Sequence, residues 1–354
     1  MSMTTGAMPV KEPVLTPGGF IKMDRVRVGT VVRTPDGGTA EVTDVRKHSA
    51  IQTYRVAFSD GSEAVCTADS VWLTRIMGQK ESTALRTTQD VMEAMARGDC
   101  IITPLCLPAD FEGGGEAPIK PYTMGAILGD GCTKADVIQV IKRDMELFDR
   151  IREDGYELKR YYADSERTPV FALKKFSQEK AWLKEKGLLC RSYKKYVPAE
   201  YMQLPLEERM ELIRGLMDTD GFSSTNGTCV YTTTSRRLAR NVQWLIRSIG
   251  GTAGIHSYIP VCTFKDGTKK KCRRAYTVRI CVPDNSILFT LPRKRVRCLN
   301  RKIVRDGFHP RRKIVSINDN GVKDCISITL DRGDSFITRD FTMVRTGQNQ
   351  KKNF

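Results

Sequence analysis

Two stretches of this chain, Thr123-Met124-Gly125-Ala126-Ile127-Leu128-Gly129-Asp130-Gly131 and Ile213-Arg214-Gly215-Leu216-Met217-Asp218-Thr219-Asp220-Gly221, repeat one pattern roughly ninety residues apart. Each is an apolar, helix-like run with a glycine in its middle and Asp-Gly at its end. A glycine inside a helix costs about 1 kcal/mol relative to alanine, so it needs a compensating contact. Close backbone approach between two paired helices supplies one, and that pairing would set Asp130 and Asp220 together at one end of the interface. A β-like run and a helix follow each copy: 137–141 then 144–154, closed by Gly155, and 229–232 then a helix from Ser235. In the latter Leu238, Val242, Leu245 and Ile249 share a face, with Ser235 as N-cap and Gly250 at the C-terminal end. A repeat of this length implies two similar αβ halves rather than a solenoid.

At 354 residues the chain exceeds what one core usually serves, so more than one domain is expected. Its 58 Lys and Arg against 41 Asp and Glu give a net charge of +17, which calls for a polyanionic partner, nucleic acid first. The excess is concentrated between Lys265 and Lys313, where seventeen basic residues face three Asp. A membrane-surface patch is the rival reading. Against it, no apolar run approaches the roughly 20 residues of a membrane span and no signal peptide opens the chain, so a cytoplasmic protein without membrane contact is expected. Eleven scattered cysteines without a C-x-x-C pair, and three histidines, match neither a zinc site nor a secreted disulfide framework. Any metal chemistry must then rest on carboxylates.

The flanks read differently. Short β-branched runs at 26–32, 40–45 and 54–58 alternate with turns at Pro35-Asp36-Gly37-Gly38 and Asp60-Gly61, as in an all-β unit. Runs at 314–317, 325–330 and 335–341, with a turn at Asp319-Asn320-Gly321, can complete it from the other end of the chain. Between Gly78 and Lys120 lie one helix, 88–96, and a Pro/Gly-rich stretch that reads as a connector. The expected parts are 9–77, a connector 78–120, a central domain 121–300 with halves 121–204 and 205–300, and 309–349.

The paired segments closely resemble the motifs of LAGLIDADG homing endonucleases, over about residues 121–298. The resemblance implies an α+β chain whose central domain has two αββαββα halves. It further implies a strand saddle on double-stranded DNA, a long recognition site, a monomer, and metal-dependent cutting of both strands. Asp130 and Asp220 match the catalytic acids. Two nearby carboxylates in a basic surface make a site for a divalent ion such as Mg2+ facing a phosphodiester. Asp218 stands where the first copy has Leu128 and is assigned no catalysis. The family places a lysine beside each acid. Lys195-Tyr196-Val197-Pro198 resembles the Lys-x-Ile-Pro block before the second motif, and Leu288-Phe289-Thr290-Leu291-Pro292-Arg293-Lys294 resembles the late block, which makes Lys195 and Lys294 the candidates. The bland alternative for either is an ordinary phosphate contact or solvation. Arg273, Arg274, Arg279, Arg293, Arg295 and Arg297 are candidate DNA contacts, some of them merely solvated.

The run from Pro13 to Phe20, with Val28-Gly29, Tyr54-Arg55-Val56, Asp60-Gly61 and Cys66-Thr67, resembles the N-terminal blocks of inteins. Asp324 to Ile328 and Asp334 to Phe341 resemble a block near an intein's C-terminus, so an intein-like (Hint) domain is expected around the nuclease-like part. No Cys, Ser or Thr stands at a first-residue position around Met8 to Val10, and Ser70 replaces the histidine of the Thr-x-x-His block. One intein class uses instead an internal cysteine with a tryptophan and a threonine; Trp72, Cys325 and Thr346 stand near those positions, with Asn349 as the terminal asparagine. Core packing is the alternative for Trp72 and Cys325. The expected function is a DNA endonuclease inside a scaffold with impaired splicing. The alternatives are an active splicing element carrying the nuclease, and a DNA-binding protein without catalysis, which the intact acids argue against.

Overall fold

The computed structural model describes residues 6–79, 83–112, 114–133, 137–161, 168–264, 266–299 and 310–346. The chain forms two compact units, one made of 1–113, 247–252 and 304–354, the other of 114–246 and 253–303.

The first unit is built on two long antiparallel strands, Thr39–Phe58 and Arg311–Leu330. Sequence reasoning split each into two short strands, whereas the ladder runs through with register shifts, one of them between Asp319 and Val322. The supposed turn at Asp319-Asn320-Gly321 is a bulge. Gly321 takes a positive φ of 76°, its N–H donates to the Asp319 carboxylate at 2.6 Å, and its carbonyl accepts the Thr53 hydroxyl at 2.7 Å. The strand expected at 26–32 shrinks to Val31–Arg33, because Met23–Arg25 forms a 3-10 turn and Gly29 reverses the chain at φ 86°.

Segments from both sides of the chain pair in this unit: Met8–Pro9 pairs with Ile326–Cys325, and Ser335–Thr338 pairs with Pro13–Thr16 and Thr342–Arg345. Much of the expected connector is structured here too. Ala84–Thr87 and Ile101–Pro104 both flank Val71–Ile76, and the helix Thr88–Ala96 between them is closed by a Thr87/Asp90 capping box. What draws it in is apolar burial, with Val91, Ala94 and Ile101 packing beside Val56, Phe58 and Trp72.

The second unit repeats itself. Helix Pro121–Asp130 is followed by strands Gly131–Cys132 and Gln139–Ile141, helix Met145–Glu153, strands Leu158–Arg160 and Val170–Leu173, and helix Ser177–Glu185. Helix Leu206–Asp220 is followed by Gly221–Ser223, Cys229–Thr233, helix Arg236–Ser248, Thr252–Tyr258, Ala275–Cys281 and helix Pro292–Leu299. The two four-stranded sheets share one order, with the fourth strand placed between the second and third. This is the αββαββα plan twice, with a small hairpin, Val261–Thr263 and Lys269–Lys271, inserted in the second half. Among the described residues no helix is long and apolar enough to cross a membrane.

Candidate active site

The glycines of the two motifs are where backbones meet. A Cβ on Gly125 would run into the Leu212 carbonyl, and one on Gly215 into the Tyr122 carbonyl. The helices Pro121–Asp130 and Leu206–Asp220 therefore pack with no side chain between them at these points, the contact that offsets the poor helix propensity of glycine. Thr219 fills the space beside Gly129, so a small residue on one helix meets a larger one on the other. Gly131 and Gly221 have a separate reason. Each chain leaves its helix directly into a strand, and a Cβ there would strike the carbonyl of Ile127 or Met217.

Asp130 and Asp220, the last residues of these helices, are both half-buried. Lys142 ties the two helix ends together: its amine lies 2.6 Å from the Asp130 carboxylate and donates to the Thr219 carbonyl at 2.7 Å. Burial, and then repulsion from Asp130, pushes the Asp220 carboxyl up to about 6. Among the described residues no hydrogen-bond donor reaches it.

Lys195 and Lys294 occupy equivalent places. The buried Lys195 amine donates to the carbonyls of Ile127 at 2.8 Å and Gly131 at 2.7 Å. Lys294 donates to Met217 at 2.8 Å, Asp218 at 2.7 Å and Gly221 at 2.6 Å. Each lysine satisfies the orphan carbonyls at the end of its motif helix. Burial pulls both ammonium groups down to about 8, and the nearby Lys142 charge adds to the effect at Lys294. Ser235 holds Lys195 in place: its hydroxyl accepts from the Leu238 N–H at 3.1 Å, as an N-cap, and donates to the Lys195 carbonyl at 2.6 Å. Asp218 does the same service for Lys294. Fully buried, it accepts from the Tyr122 hydroxyl at 2.9 Å, the Thr290 and Leu291 N–H groups at 3.2 Å and the Thr290 hydroxyl, fixing the segment that leads to Lys294.

Sequence reasoning missed Lys142 and Tyr231. In the ladders Gly131 faces Val140 and Gly221 faces Tyr231, so Lys142 is the counterpart of Thr233 and Val140 that of Tyr231. The Tyr231 hydroxyl is fully buried and has no hydrogen-bond partner among the described residues. Only the register reveals either residue.

The arginines divide. Arg274 and Arg279 are exposed on or beside the Ala275–Cys281 strand, and Arg273 stacks on the Tyr193 ring with 3.7 Å to its centroid. Arg295 is exposed on the last helix, but Arg297 donates to the Ser223 carbonyl at 3.1 Å and Arg293 is paired with Asp144 at 2.7 Å.

In the first unit Trp72 is core: it packs edge-on to Phe58, and its indole N–H donates to the Thr88 hydroxyl at 2.9 Å. Ser70 is occupied by Thr67, whose N–H donates to its hydroxyl at 3.1 Å. Cys325 is buried in the ladder opposite Pro9 and His48, and burial pushes its thiol up to about 11. Thr346 is buried with its Cα 3.0 Å from where a Cβ of Gly6 would stand. Asn349 lies outside the described residues.

Residues 207–284 match the LAGLIDADG-like domain family. The chain is 28% identical over 269 residues to the replicative DNA helicase DnaB of Mycobacterium intracellulare, covering 69% of this chain and 42% of that protein. It thus spans less than half the length of that relative. Among solved structures it is similar to the Msm DnaB1 intein splicing domain bound with zinc, with 30% identity over 24% of this chain and 62% of that one and a TM-score of 0.21. It is also similar to I-DmoI in complex with DNA and Ca, with 16% identity over 50% of this chain and 95% of that one and a TM-score of 0.32.

Proposed function

We infer, from a chain that carries a LAGLIDADG-like domain, that its second unit is a site-specific endonuclease that hydrolyses both strands of double-stranded DNA. The observation that carries this is the placing of Asp130 and Asp220 at the ends of two glycine-packed helices, each helix end held by a buried lysine. A divalent ion, Mg2+ in our reading, fits the donor set. The half-buried Asp220 carboxyl has no described hydrogen-bond partner, so a cation would relieve its charge. Two carboxylates leave the remaining ligand positions to water and phosphate oxygens, which Mg2+ accepts. Bound there, the ion would activate water and stabilise the leaving oxygen.

The chain's own residues do the rest. Lys195 and Lys294 fix the helix ends that aim the acids. Lys142 pairs with Asp130 and adds positive charge where the phosphodiester would lie. Arg273, Arg274, Arg279 and Arg295 would meet the DNA backbone or base edges, in a monomer reading a long site. Purified chain incubated with randomised duplex DNA and Mg2+ should give ends of one defined sequence. Asp130→Asn or Asp220→Asn should abolish cutting while binding stays within a few-fold, and full cutting by either variant sinks the assignment. Binding should fall steeply with salt, by a slope of about −0.9 per neutralised phosphate.

A second reading, protein splicing through an internal cysteine, draws on the placement of Cys325 opposite Pro9 and of Thr346 against Gly6. We expect splicing to be inefficient, since Ser70 cannot shuttle a proton near pH 7 as an imidazole does and its hydroxyl is already bound to Thr67. Flanking the chain with two tags tests this. Accumulation of the joined tags, lost on Cys325→Ala or Asn349→Ala, would make splicing the primary function.

A further inference from the structure

The hairpin inserted in the second half carries a feature that the nuclease reading does not use. Cys262 and Cys272 approach with 3.0 Å between their sulfurs. Cys262 pairs with Lys270 and Cys272 donates its N–H to the Pro260 carbonyl, so the two cysteines are diagonal neighbours on one face of the ribbon. Lys269 and Lys271 point to the other face. Every residue of both three-residue strands is exposed. Little holds such a ribbon together: Phe264 and Thr268 close the turn through backbone bonds, Asp266 accepts from the Thr268 N–H at 3.0 Å, and an isolated two-stranded hairpin is marginal in water.

We propose that Cys262 and Cys272 are a reactive dithiol that closes to an intramolecular disulfide and staples the lysine-rich hairpin. Bringing the sulfurs from contact to bond length needs a movement of about 1 Å, within reach of side-chain rotation. The oxidant is a small-molecule disulfide of the glutathione type. A thiolate of the pair attacks one of its sulfurs, expelling one small thiol and forming a mixed disulfide; the second protein thiolate then displaces the other small thiol. Two protein sulfurs are oxidised, two reagent sulfurs are reduced, and the two protein protons leave on the released thiols. Exposed disulfides of this kind are the labile ones that follow the surrounding redox poise.

The other close pair provides an internal contrast. Cys229 and Cys298 stand 3.5 Å apart but are both buried, so reagent does not reach them in the folded chain.

The test is exchange of the full chain with oxidised glutathione, read by intact mass, peptide mapping and trypsin. The folded chain should lose two hydrogens, retain no glutathione, and yield one cross-linked peptide pair joining Cys262 to Cys272. Tryptic cleavage after Lys269, Lys270 and Lys271 should slow by about tenfold and recover on reduction. Cys262→Ser and Cys272→Ser should each retain one glutathione instead. A stable glutathione adduct on the unmodified chain, a cross-link at another pair, or unchanged tryptic rates on oxidation overturns the proposal. One arm rests on the nuclease reading: the oxidised chain should bind duplex DNA a few-fold tighter than the reduced chain, because the ribbon is already ordered. If neither form binds DNA, the nuclease reading fails, while mass and trypsin still decide the dithiol.

Discussion

The two halves of the second unit share a plan and differ in its finish. Both bury a lysine under the end of the motif helix, both place an aspartate on the last turn, and both leave through a glycine that a Cβ would obstruct. In the first half the aspartate has its own cation, Lys142. In the second half that position is Thr233, and the position facing the exit glycine is Tyr231 instead of Val140. Symmetry of the backbone thus holds where helix packing demands it and lapses where only side-chain chemistry is at stake. One acid is held in a direct ion pair, while the other sits half-buried without one, within the field of Lys195, Lys142 and Lys294.

The largest effect should come from breaking what the halves share. Gly125→Val and Gly215→Val each force a side chain into a facing backbone carbonyl, which cannot rotate away, so each should cost about 3 kcal/mol or more. Gly129→Ala would meet the Thr219 side chain, its Cβ included, which rotation cannot clear, so it should be destabilising too. Urea or thermal unfolding gives the order. A gain in stability for Gly125→Ala, as helix propensity alone requires, would refute the close approach.

The same contrast explains how much the sequence disclosed. The repeat was legible because backbone packing leaves a mark in residue type: Gly125, Gly215 and the Asp-Gly pairs have few substitutes. Lys195 and Lys294 were found through their surrounding blocks, but not their task, since carbonyl capping has no signature in a single lysine. Lys142 and Tyr231 stayed hidden because their meaning lies in the strand register, which the bulk of a β-branched run does not specify. In the first unit the bulges at Asp319-Asn320-Gly321 resembled turns, as the same residues supply positive φ to both.

A smaller effect should separate the two acids. Asp220 is ionised at pH 7.5 against a folded-state value of about 6, so the folded state holds the charge at a cost that the unfolded chain does not bear. Its contribution is favourable below the unfolded value near 4 and is lost as pH rises through 6. Asp220→Asn should therefore stabilise the metal-free chain by roughly 1–3 kcal/mol at pH 7.5, with the gain gone by pH 4. Asp130→Asn removes the charge that partners Lys142, leaving it the Thr219 carbonyl, and should cost about 1 kcal/mol instead. Melting curves in EDTA at pH 4, 6 and 7.5 check both signs. Equal shifts for the two variants would show that the halves are electrostatically alike. Added Mg2+ should stabilise the unmodified chain and narrow its gap to Asp220→Asn, since an ion that binds only the folded state raises its stability.

The smallest effect sharpens the comparison at Tyr231 and Val140. Tyr231 keeps a hydroxyl inside the fold with nothing described to receive or supply a hydrogen bond, whereas its counterpart Val140 buries no polar atom. A buried hydroxyl without a partner loses its hydration and regains nothing, so removing the oxygen alone should help. Tyr231→Phe keeps the ring and its packing and should raise stability by up to about 1 kcal/mol, a rise in Tm of about 2–4 °C for a unit of this size. Val140→Thr makes the reverse change in the first half and should lower Tm, because the new hydroxyl enters an equally dry position. The pair of measurements has opposite expected signs, which guards against a general loosening of the strands as the cause. A fall in Tm for Tyr231→Phe would mean that the hydroxyl has found a partner, with Asp220 the group to examine, and the second half would then hold its acid by a phenol where the first uses an amine.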